Sequence, residues 1–131
     1  MPMKKATLIL LIVSFFIASF ASHARAEVDG AMLLNNCADA VKYMENNKDP
    51  SINFASVHFC FGYISSINDI HNNFVSSVAC FDPPVFCAPS PADMEQYVKI
   101  IVRYLKSHPE YLPDDGSVLA LAALQEAFPC P

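Results

Sequence analysis

Apolar residues recur at helical spacing along most of this chain, in blocks separated by polar or proline-marked breaks. In the first block Leu33, Cys37, Val41 and Met44 share one helical face. Asp29 or Gly30 begins it, and the polar run Asn46-Asn47-Lys48 ends it. Asp49-Pro50 then restarts the chain as an N-cap followed by proline at the first helical position. The second block, residues 51–74, carries two patterns. Val57, Phe59, Phe61 and Tyr63 alternate with His58, Cys60 and Gly62, which locally fits a strand. Over the longer window Phe54, Val57, Phe61, Ile64, Ile67, Ile70 and Phe74 keep spacings of three and four with no turn signal between them, which predicts one long helix.

Residues 80–91 form a linker. Pro83, Pro84, Pro89 and Pro91 remove backbone donors and fix φ, so no helix or central strand runs through it. Ser90 as cap, Pro91 at the first position and Asp93 as the capping-box partner predict the start of a third helix. Its face is Met94, Tyr97, Val98, Ile101 and Leu105, and His108-Pro109 ends it. After a turn over residues 110–116, residues 118–124 are apolar all round, and Ala127 and Phe128 close a fourth helix. A helix without a polar face is central in the core or buried by a second subunit. The expected fold is all-α, a small bundle of about four helices stapled by disulfides. There is no internal repeat and no low-complexity tract.

The N-terminal 26 residues change this picture. Lys4 and Lys5 precede the uncharged, mostly apolar run 6–21, and Ala24-Arg25-Ala26 places small residues at the −3 and −1 positions of a signal peptidase site. Residues 1–26 are read as a signal peptide cleaved after Ala26, and residues 27–131 as one mature domain. The rival is an uncleaved anchor, but a spanning helix wants about 20 apolar residues. No stable membrane anchor is expected after cleavage, and the location is periplasmic. Loss of Lys4, Lys5 and Arg25 takes the formal charge from −5 to −8. Such an acidic chain repels phosphate backbones, which disfavours nucleic acid as a partner, and it either steers a basic protein or simply keeps an exported protein soluble.

All five cysteines lie in the exported part, where widely spaced cysteines more often form disulfides than metal or catalytic sites. In an antiparallel hairpin turning near residues 48–51, Cys37 and Cys60 come level. In a second hairpin turning near residues 109–113, Cys87 and Cys130 meet at the far end. Cys80 is then the free thiol, and a Cys80 to Cys87 bridge is the main rival.

No active site assembles from the remaining residues. His58 and Cys60 stand two apart and point to different helix faces. His71, among Asn68, Asp69, Asn72 and Asn73, reads as part of a solvated polar helix end, with no second ligand spaced to converge on a metal. His108 suits a helix C-terminus and its dipole. Three scattered glycines cannot form a phosphate loop. Asp114 and Asp115 are adjacent in a turn, where capping outweighs catalysis. The expectation is no enzyme, no catalytic residue, no metal and no cofactor.

Several short segments, in order, carry a resemblance. Cys60-Phe61-Gly62-Tyr63-Ile64 with Asp69, Phe86-Cys87-Ala88-Pro89, Tyr104-Leu105 with His108-Pro109-Glu110, and Ala123-Leu124 through Ala127-Phe128-Pro129-Cys130 resemble the Rap/Tai family of periplasmic immunity proteins, across residues 30–130. Ser65-Ser66 and the extra Cys80 depart from that family's pattern. The resemblance implies a small exported helical protein that often forms a homodimer and blocks the cleft of a secreted cell-wall amidase, an effector of type VI secretion. The candidate binding segment is the turn between the last two helices, with His108, Pro109, Glu110, Tyr111, Leu112, Asp114 and Asp115. Its plainer reading is an ordinary interhelical turn. The alternative function is a general exported envelope protein on the same scaffold with no toxin partner.

Overall fold

In the computed structural model, residues 28–75, 84–90 and 92–131 are described. The signal-peptide reading, Glu27 and the question of Cys80 lie outside the described residues. Within them the chain forms four α-helices and, among the described residues, no strand.

Helix α1 spans Gly30–Glu45, and Asp29 caps it, its carboxylate accepting from the Met32 N–H at 2.7 Å. At the other end the Asn46 N–H returns to the Lys42 carbonyl at 2.8 Å. The turn that follows is built from side chains competing for backbone donors. The Asp49 carboxylate accepts from the Ser51 N–H at 2.8 Å, which holds its carboxyl below the usual range. Asp49 therefore stabilises the turn rather than capping a helix, and Ile52 swings into the core. Helix α2 accordingly starts later than expected, at Phe54–Ile70 with Asn53 as cap. A π-helical turn, His71–Val75, extends it.

Helix α3 covers Met94–Ser107 and also starts later than the Ser90-Pro91 pattern suggests. Asp93 is the cap, accepting from the Gln96 N–H at 2.8 Å. A carboxylate one residue before the periodic apolar face outcompetes a serine three residues further back. A short 3₁₀ turn, Pro109–Tyr111, leads into helix α4, Gly116–Ala127.

Helix α1 packs on both α2 and α3, and α3 packs on α4. Leu33, Cys37 and Ala40 from α1 meet Val57, Cys60, Ile64 and Ile67 from α2, with Val98, Ile101 and Leu105 from α3 and Leu119, Ala120, Ala123 and Leu124 from α4 closing the core. Ala120 and Ala123 let α4 approach closely. The period-two pattern around Val57 to Tyr63 has no structural counterpart. The helical spacing decides, although Phe54 and Ile70, expected on the core face, are exposed and Cys60 takes an inward position. Helix α4 is not covered all round either, since Val118 is 60% exposed.

Two disulfides staple the bundle. Cys37 joins Cys60 across the α1–α2 hairpin with Cα atoms 5.0 Å apart, and Cys87 joins Cys130 with Cα atoms 4.9 Å apart. Beside the second, the Cys87 N–H donates to the Phe128 carbonyl at 2.8 Å, so the linker is held to the C-terminal tail by a covalent and a hydrogen bond together. Phe86 is thereby seated in the core. No helix among the described residues is long and apolar enough to cross a membrane.

The Cys37–Cys60 bridge closes 23 positions, and both sulfur atoms belong to fully buried residues. Cys60→Ser is expected to lower unfolding free energy by about 3 kcal/mol, from lost chain constraint and a hydroxyl placed in apolar surroundings. Urea unfolding of oxidised parent and variant checks this, and equal midpoints would contradict it.

Candidate partner-binding site

Helix α3 ends because His108 precedes a proline, which disfavours helical backbone at His108. The His108 N–H donates to the Tyr104 carbonyl at 3.1 Å, and its ring Nδ1 lies 3.0 Å from the same oxygen, so the Nδ1–H tautomer gives that carbonyl a second donor. The ring lies between two tyrosines, 4.3 Å from Tyr104 and nearly parallel to Tyr111 at 5.7 Å. Burial pushes the Tyr104 hydroxyl above its ordinary value, and the nearby Glu126 carboxylate adds to this.

From there the segment folds on itself. The Tyr111 N–H donates to His108 O at 3.1 Å, Leu112 N–H to Pro109 O at 3.3 Å, and Asp114 N–H to Tyr111 O at 2.8 Å. Its own carbonyls then turn to the start of α1. Leu112 O accepts from the Ala31 N–H at 3.1 Å and Asp114 O from the Gly30 N–H at 2.9 Å, while the Gly116 N–H donates to Val28 O at 2.7 Å. Asp29 and Asp115 face each other as an isolated antiparallel bridge. These bonds satisfy N–H groups that the first turn of a helix leaves without intrahelical partners.

Two glycines make the approach feasible. A Cβ on Gly30 would lie 2.5 Å from Leu119 Cδ1 and 3.1 Å from the Leu112 backbone, and one on Gly116 would lie 2.8 Å from the Val28 carbonyl oxygen. Helices α1 and α4 thus start side by side. Asp29 caps one, and Asp115 caps the other by accepting from the Ser117 and Val118 N–H groups at 2.8 and 3.2 Å. On the other side Tyr63 of α2 sits near this junction. Burial raises its hydroxyl pKa, and the Asp115 carboxylate raises it further.

The structure therefore divides the seven candidate residues. Pro109, Glu110, Tyr111 and Asp114 are exposed, Tyr111 by 44%. His108 and Leu112 are half-buried and face the scaffold, and Asp115 serves as a helix cap. Val28, Asp29 and Gly30 complete the frame. Sequence reasoning took Asp29 and Gly30 only as a helix start, because nothing local links them to a turn more than 80 positions later.

The other titratable groups sit apart from this loop. His71 is not solvated but buried. Its ring stacks on Phe86 at 3.8 Å, and its Nε2 accepts from the Phe86 N–H at 3.4 Å. The π-helical turn and the folded-back linker together bring it inside. Among the described residues no three His, Cys, Asp or Glu side chains converge to hold a metal ion.

A family model described as Rap1a immunity proteins matches residues 29–130. The chain belongs to the Rap1a immunity protein family. The match starts at the cap of α1 and ends at the cysteine that closes the second staple, so it takes in both interlocked ends of the bundle. No curated protein and no solved structure matches the chain. Membership implies a protein that binds a toxin effector, in a family that is generally non-enzymatic and typically periplasmic.

The junction makes a specific demand on Gly116. Gly116→Ala is expected to cost about 1–3 kcal/mol, because the added carbon must push back the Val28 carbonyl. Amide exchange at Gly30 and Ala31, whose acceptors are the loop carbonyls, should accelerate more than exchange at Ile64 or Ile101. Unchanged protection at those two amides would show that the loop does not depend on this contact.

Proposed function

We propose that this Rap1a-family protein is exported, cleaved after Ala26, and inhibits a peptidoglycan amidase delivered into the periplasm by type VI secretion. The loop at residues 108–116 is its contact with the enzyme. The observation that carries this reading is the combination of exposure and rigidity in that loop. Glu110, Tyr111 and Asp114 project outward from a frame whose backbone is hydrogen-bonded at both ends. A segment already held in one conformation loses little entropy on docking, which favours tight inhibition. An exposed tyrosine on such a frame is the residue type that anchors interfaces, and the flanking carboxylates steer a basic enzyme surface.

Asp115 is a poor position for testing this, since reversing its charge would also remove the cap of α4, a loss of about 1 kcal/mol. Glu110→Lys with Asp114→Lys leaves the caps intact. The expected result is loss of protection when the amidase is directed to the periplasm, with binding weakened about tenfold or more and unfolding free energy changed by no more than about 0.5 kcal/mol. Full protection by this variant would remove the loop from the interface. If no adjacent or co-purifying hydrolase binds the parent protein, the general envelope role takes the place of immunity.

We also infer a homodimer through α2. Asp69 is the one charged residue in this 17-residue helix, and Ile70 is 61% exposed. Phe59 and Tyr63 stack at 5.7 Å beside Gly62, where an added Cβ would meet nothing within 4 Å. An uncharged helix face with an exposed interior glycine lets a second helix come close. Sedimentation should show a dimer that Gly62→Arg converts to a folded monomer, and a monomeric parent would exclude it.

A further inference from the structure

A surface of opposite charge to the loop lies along α3. Lys99, Arg103 and Lys106 follow one another at spacings of four and three, which lines them up on one side of the helix over about 10 Å. They edge a shallow groove of about 370 Å³ between α1 and α3, with Val41 and Val102 also lining it. The described residues hold five Lys and Arg against eleven Asp and Glu, and three of those five cations are gathered here. Lys99 is paired with Glu95 and lies in the field of Glu45 and Asp93, at the start of the strip. Further along, Arg103 and Lys106 make no ion pair among the described residues.

The fold alone does not call for this arrangement. One cation in the last turn, Lys106, already answers the helix dipole. Like charges at spacings of three and four weaken a helix rather than support it. A strip of positive charge on an otherwise acidic molecule is the complement of an anionic ligand. The groove shape then selects among anions. A flat anionic membrane would meet the negative remainder of the surface as well as the strip, whereas an extended chain meets only the groove.

We propose that the α1–α3 groove docks an acidic, extended polypeptide segment of a protein partner, with carboxylates on Arg103 and Lys106 and an apolar side chain against the half-buried Val41. This surface is separate from the loop and does not depend on the loop's role. The chain changes sign between Lys106 and Glu110, so the two surfaces select partner regions of opposite charge.

The test uses the mature protein and a fluorescent peptide of sequence acetyl-Glu-Asp-Glu-Leu-Glu-Asp-Glu-amide, followed by anisotropy. Saturable binding is expected, weakened about tenfold or more by Arg103→Glu with Lys106→Glu and retained by Arg103→Lys. Added salt should also weaken it, since both charges are solvent-exposed. Lys48→Glu makes a charge reversal of the same kind away from the groove and should leave binding unchanged. Should the double reversal disturb the helix, Arg103→Ala with Lys106→Ala is expected to weaken binding in the same direction. The proposal is overturned if the double variants bind like the parent or if Lys48→Glu weakens binding as much. It also fails if a Lys-for-Glu/Asp peptide binds equally, or if phosphatidylglycerol vesicles bind and the peptide does not.

Discussion

Three backbone hydrogen bonds between the start of α1 and the segment leading into α4 hold the bundle and its exposed loop in one frame. They run from Gly30 to Asp114, from Ala31 to Leu112 and from Gly116 to Val28. Each satisfies a main-chain group that would otherwise need water or a side chain at a helix end. The bonds require the two backbones to meet without an intervening Cβ, which is why Gly30 and Gly116 stand where they do. Because the frame fixes both flanks of the loop, Glu110, Tyr111 and Asp114 can be exposed without being loose. Exposure and packing thus fall to different residues of one short segment. Leu112 and Asp115 hold it, while its neighbours face outward.

The two disulfides act on a different scale. Cys37–Cys60 sets the register of the first hairpin, and Cys87–Cys130 binds the proline-rich linker to the tail. With the linker folded back, Phe86 fills the space above Tyr97 and covers His71, and Tyr97 in turn meets Phe128 edge-on at 6.1 Å. A segment too rich in proline to form an element still contributes a core side chain.

Much of this was legible in the sequence because it depends on spacing. The helices follow from apolar residues three and four apart, and the cysteine pairs follow from counting outward from each turn. The face of α3, with Tyr97, Val98, Ile101 and Leu105, follows from its period alone. Helix starts were harder wherever several capping residues compete. Asp49, Ser90 and their following prolines form plausible signals, yet Asn53 and Asp93 cap the helices, because they stand directly before residues that must face the core. His71 looked solvated because its neighbours in sequence are polar, whereas its burial comes from Phe86, 15 positions away. The turn between α3 and α4 is legible as a segment, but its inward and outward residues are not separable in sequence, since its contacts with residues 28–31 leave no local trace.

That long separation has a kinetic consequence. The first staple joins positions 23 apart and the second 43, but Gly30 and Asp114 are 84 positions apart. Closing a longer loop costs more chain entropy and gives nothing back until its contacts form. The hairpins can therefore assemble first, with the junction between α1 and the last turn completed after them. The exposed loop is then the last part of the chain to acquire its shape. The two staples shorten the stretch of chain that this last closure has to span, so each disulfide lowers the entropic cost of a contact in which neither of its cysteines takes part.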